Sequence, residues 1–114
     1  MGRGGRVEVR DLVFNVKAQI ITKHPTCDFK DIVSGTANYL RAKFMFSSEW
    51  NGHNKVAVFT NLSKEYPVRI KENVCIIPSE ALTWNEFKVR VIGQKGTQRI
   101  TTNDIVIKQE GGNV

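Results

Sequence analysis

Few residues in this sequence stand where they could do chemistry. Glu49 and His53 are close enough to offer an acid and a base to one substrate. They flank Asn51-Gly52, however, a strong tight-turn signal, and an exposed turn supplies no desolvation with which to tune either pKa. A surface turn is the better reading. Ser79-Glu80 and Thr101-Thr102 carry hydroxyls with no His or Lys base beside them in sequence, so an activated nucleophile is not expected. Gly93-Gln94-Lys95-Gly96 faintly suggests a phosphate loop, yet it lacks the spacing and the following helix such a loop needs, and it reads as a hairpin turn. Neither Cys27 nor Cys75 has a CxxC partner, and His24 and His53 stand alone, so no zinc cluster is expected. A disulfide between the two cysteines is not expected in a cytosolic product. The sequence assigns no catalytic residue, cofactor or metal, and the expectation is a protein that is not an enzyme.

Charge is the compositional oddity. Seventeen Lys and Arg against eleven Asp and Glu give a formal net charge of +6, which favours acidic partners. The outward positions of two strand-like segments carry Arg41, Lys43, Lys88 and Arg90. If those strands neighbour each other in one sheet, they form a positive face bordered by Tyr39. A solvated sheet face is the default reading of such alternation, and Lys on an edge also blocks unwanted pairing. A protein interface is the second reading, and a track for single-stranded nucleic acid the third. Trp50 is expected in the core. Trp84 is expected either in the core or exposed as an interface anchor, a role Trp often takes. The candidate interface residues are therefore Arg41, Lys43, Lys88, Arg90 and Trp84.

The elements that must position these residues have a period of two. In Tyr39–Phe46, Leu40, Ala42, Phe44 and Phe46 line one face, and Tyr39, Arg41, Lys43 and Met45 the other. Phe87–Val91 repeats the scheme, with Phe87, Val89 and Val91 inward. Val13–Ala18, Lys55–Thr60, Tyr66–Ile70, Val74–Ile77 and Ile105–Lys108 are shorter segments of the same kind, separated by turn signals such as Asn51-Gly52 and Lys71-Glu72-Asn73. Helix is confined to single turns at Pro78–Leu82, with Pro in the first turn, and Ser47–Trp50, with Ser as N-cap. The expected fold is all-β: an Ig-like or jelly-roll-like antiparallel sandwich of about seven or eight short strands. Residues 13–109 are expected to form the single domain, after a flexible basic segment at 1–12 and before a disordered tail at 110–114. Val13–Ile21 is apolar enough to act instead as an arm that adds a strand to a neighbour. With 114 residues, 40% hydrophobic and 25% charged, one core is within reach. No apolar run approaches membrane-span length, and Arg3, Arg6 and Arg10 precede no apolar segment, so neither membrane insertion nor secretion is expected.

One connected pattern runs through two-thirds of the chain, about Tyr39–Lys108. It begins with Phe44-Met45-Phe46-Ser47-Ser48-Glu49-Trp50-Asn51-Gly52 and Lys55-Val56-Ala57-Val58-Phe59. It continues through Asn73-Val74-Cys75-Ile76-Ile77-Pro78-Ser79-Glu80-Ala81-Leu82 and Phe87–Gly93 to Arg99-Ile100-Thr101-Thr102-Asn103. The pattern resembles a β-sandwich module of tail, baseplate and minor structural proteins in phages of Gram-positive bacteria. In upper-baseplate proteins of that kind the module lies at the N-terminus and attaches the protein to the virion. The resemblance implies a virion structural protein acting by protein–protein docking: capsid decoration, neck or tail, or baseplate attachment. It implies other virion proteins as partners, a homo-oligomeric or multicopy state, and a passage from host cytoplasm to virion. Two features depart from the family pattern, in which the turn is often Trp-Asp-Gly and the chains are often acidic. Here the turn holds Asn51, and the net charge is positive. The alternative function is a small basic nucleic-acid-binding regulatory module.

Overall fold

The computed structural model describes residues 8–110. Among these, in chain order, the strands are β1 (Arg10–Lys17), β2 (Ile20–Lys23), β3 (Leu40–Phe46), β4 (Asn54–Asn61), β5 (Lys64–Arg69), β6 (Val74–Ile76), β7 (Glu86–Lys95), β8 (Gln98–Thr101) and β9 (Ile105–Lys108). They make an all-β sandwich. Sheet 1 has the order β2-β1-β3-β6; sheet 2 has the order β5-β4-β7, with β8 and β9 sharing the far side of β7. Ser48–Trp50 and Ser79–Leu82 form single 3₁₀ turns. The second begins after Pro78 rather than containing it.

Alternation decides the layering. Leu12, Phe14 and Val16 of β1 and Leu40, Ala42 and Phe44 of β3 are buried in one core with Ala57 and Phe59 of β4 and Phe87, Val89 and Val91 of β7. β1 and β3 run parallel, in a register from Arg10↔Leu40 to Val16↔Phe46, whereas the other named strand pairs are antiparallel. A parallel pair needs a crossover, and β2 with the loop at 24–39 supplies it. That loop is tied down by Arg10, whose guanidinium donates to the carbonyls of Asp28, Lys30 and Asp31. Phe29 adds an edge-on contact to Phe14, with ring centroids 5.5 Å apart.

These contacts move the expected domain limits. Arg10, Asp11 and Leu12 belong to β1, and Leu12 is fully buried, so the sandwich starts before residue 13. At the other end Glu110 bridges Val33. The rest of the expected flexible head and tail, 1–7 and 111–114, lies outside the described residues. Val13–Ile21 is no arm: Phe14–Val16 is paired on both sides within sheet 1, because the apolar face of β1 is core. β2 and β8 were not legible as strands. Gly93, expected in a turn, is inside β7; the turn itself is Gly96-Thr97, where Gly96 has φ +58°.

Two corners lock the sheets together. At the first, Trp50 is fully buried, and its indole N–H donates to the Ala18 carbonyl at 2.9 Å. Ser47 makes no cap to its own 3₁₀ turn; its hydroxyl accepts the Ala18 N–H at 3.0 Å. The second corner lies between β8 and β9. Thr102 donates its N–H to the Val91 carbonyl at 3.1 Å, and its hydroxyl accepts the Val91 N–H at 3.0 Å. Asn103 is thereby turned toward sheet 1. Its N–H donates to Gln19 at 3.2 Å, and its side-chain oxygen accepts the Ile21 N–H at 2.8 Å. A residue of the loop joining β8 to β9 thus closes the free edge of β2. The edge strand β5 carries Pro67 opposite Val58, and a proline in an edge strand withholds a donor from any further pairing.

Candidate docking face

The four outward cations do not share a face. Arg41 and Lys43 project from β3 in sheet 1, whereas Lys88 and Arg90 project from β7 in sheet 2. Both arginines are engaged. Arg41 grips Asp11 with two nitrogens, at 2.7 and 3.0 Å. That hydrogen bond, helped by the charge of Arg41, holds the Asp11 carboxyl below its ordinary pKa and raises that of Arg41. Arg90 lies 3.2 Å from Glu65 and 3.9 Å from Asp104. A single-stranded nucleic-acid track needs its cations and aromatics along one groove; here the cations are divided between opposite sides of a sandwich.

Trp84 and Lys88 do come together, in a small cleft also lined by Leu62 and Phe87. Trp84 is 42% exposed and Leu62 73%. Leu62 sits in the turn between β4 and β5 with φ +59°, a conformation that favours glycine. Sequence reasoning passed over it, although an apolar residue between Asn61 and Ser63 in a turn was a signal.

The outer face of sheet 1 carries most of the exposed large apolar side chains among the described residues. Cross-strand register sets Asp11, Arg41 and Ile76 in one row, Val13, Lys43 and Val74 in the next, and Thr22, Asn15 and Met45 in a third. Among the described residues, the exposed large apolar side chains are Ile20, Tyr39, Met45 and Ile76, all associated with this face, and Val33, Leu62 and Trp84 elsewhere. Tyr39, one residue before β3, continues the alternation of that strand. Met45 and Tyr39 were readable as apolar residues on the polar side of β3; Ile76 and Val74 were not, because the neighbour of β3 was unknown.

The acid–base pair does not form. Glu49 is exposed, and a hydrogen bond from the Ser47 hydroxyl, then one from backbone, lowers its pKa. His53, expected on an exposed turn, is only 7% exposed. Its Nε2 is 2.7 Å from Gln98 Oε1, and its ring lies beside Trp50. The difference has a physical cause: Gly93, with no side chain, leaves the space filled by the Trp50 ring and the β-carbon of His53. Cys27 and Cys75 are free thiols. Cys27 Sγ accepts the Val13 N–H at 3.3 Å, and burial pushes the Cys75 thiol up to about 12. Among the described residues, no group of three or more His, Cys, Asp or Glu could hold a metal ion, and no helix is long and apolar enough to cross a membrane.

No protein-family model matches the chain, and no curated protein or solved structure is significantly similar to it.

Proposed function

We propose that this chain is a structural protein of a phage particle, a docking module that attaches through the exterior of its sandwich to other virion proteins. Capsid decoration, the neck or tail, and the baseplate are the positions this reading covers. The observation that carries it is the outer face of sheet 1, where Tyr39, Met45, Ile76 and Ile20 stand exposed around half-buried Val13 and Val74. Apolar groups gathered on one sheet face, with polar groups among them, are a common composition for an interface. The edges at β2 and β5 are blunted, which disfavours strand addition at those two strands. A standard interface takes roughly 800 Å² from each partner, an area that one face of a domain this size can provide.

The test is mass spectrometry of gradient-purified particles of the phage that encodes the chain. The chain is expected at a fixed copy number per particle, and Met45→Glu is expected to reduce its incorporation by more than about tenfold, as loss of a central contact does. Absence of the wild-type chain from purified particles overturns the proposal.

A further inference from the structure

The candidate face has a cation at its centre. Lys43 stands between Val13 of β1 and Val74 of β6 in one cross-strand row, with Met45 beyond it along β3. Among the described residues, no carboxylate forms an ion pair with it. Asp11, the acid whose charge it feels, is already held by two nitrogens of Arg41. A partner lying on this face removes the Lys43 ammonium from water, and a buried charge without a counter-charge is strongly unfavourable. The partner must therefore bring an anion. A second copy of the chain is a poor source: stacking two such faces sets Lys43 and Lys17 against cations of their own kind, with Asp11 occupied.

We infer that this face binds a different protein, one whose contact surface is apolar and places an Asp or Glu carboxylate opposite Lys43. The inference rests on the docking reading above and specifies the chemistry of the partner. The Lys43 stem covers the valines on either side while its head meets the carboxylate. The unbranched Met45 side chain adapts its shape to the apolar part. The ion pair fixes register, and the surrounding aliphatic groups supply the contact area.

The purified ¹⁵N-labelled chain is titrated with hexanoate and, separately, with hexylamine, which share an apolar tail and differ in charge. Hexanoate is expected to shift the backbone amides of Val13, Lys43, Met45 and Val74, and hexylamine to leave them in place. Lys43→Met, with Lys43→Gln as the second variant, should keep the fold's amide dispersion while weakening hexanoate by about two- to fivefold, the range of an exposed ion pair. Equal responses to the two probes, shifts spread evenly over the surface, or a response centred on another face overturns the inference. So does a dimer in light scattering that Met45→Glu dissociates, which makes a second copy the occupant. Absence of the chain from phage particles sinks the virion reading alone, so the two failures are told apart.

Discussion

The six-membered ring of Trp50 lies against the α-carbon of Gly93, so that a β-carbon there would stand 2.7 Å from Cζ3 and 2.9 Å from Cε3. An aromatic row leads to this contact: Phe14 to Phe44, Phe44 to Phe46 and Phe46 to Trp50 have ring centroids 5.6, 5.7 and 5.3 Å apart. Gly93→Ala is expected to destabilise the fold by about 1–3 kcal/mol through overpacking, measured by urea unfolding. Trp50→Phe should reduce the effect of Gly93→Ala, because the smaller ring makes room for the methyl. A loss below about 0.5 kcal/mol in the wild-type background, the scatter of ordinary surface changes, means the indole can move aside.

Asn103→Ala leaves the Ile21 N–H without its acceptor, and is expected to cost about 1–3 kcal/mol. Asn103→Asp retains an oxygen for that N–H and should cost less. Hydrogen exchange reads the corner directly: the Ile21 amide should lose protection in Asn103→Ala while Phe59, deep in sheet 2, changes only with global stability. Unchanged exchange at Ile21 means that the corner contributes nothing to closing sheet 1.

The ion pair of Asp11 with Arg41 sets an acid limb of stability. Because its folded pKa lies below the ordinary 3.8, Asp11 takes up its proton more readily in the unfolded chain. Its contribution is therefore complete above that value and disappears as pH falls through the lowered folded value. Asp11→Asn should flatten this part of the difference between the two unfolding profiles, and an NMR titration of the Asp11 carboxyl should give a midpoint below 3.8. A midpoint at or above the ordinary value contradicts the pairing.

Cys75 makes the opposite prediction at alkaline pH. Its thiol has an ordinary value of 9.0 and is raised by burial to about 12. As pH rises, the unfolded chain releases this proton first, so stability is intact below 9.0 and declines between there and about 12. Cys75→Ala should remove that part of the decline. In the native protein at pH 8, a disulfide reagent should label the half-buried Cys27 ahead of Cys75. Equal labelling rates for the two thiols contradict the burial.

How far the fold was readable depended on how local its causes are. Phe44 and Phe87 announce their strands because inward and outward neighbours alternate beside them, and Trp50 reads as core from its size and its place before a turn. β2 escapes because Ala18 and Gln19 form its turn without a Gly or Asn signal, with Ala18 itself at φ +50°. β8 escapes because it is polar and depends on pairing with β7. The face was harder still. Whether Arg41 and Arg90 lie together is a question of strand order, and a sequence does not show which strands become neighbours. The same ignorance hid the row of Val13, Lys43 and Val74, whose members come from three separate strands.

The bond between Ile21 and Asn103 spans 82 residues of sequence, and this has a consequence during synthesis. The first two strands emerge from the ribosome long before the asparagine that completes their edge. Until it arrives, the N-terminal hairpin must wait with its outer backbone groups in water. Such dependence on distant contacts slows folding, and a finished N-terminal edge is thereby reserved for chains translated at least that far.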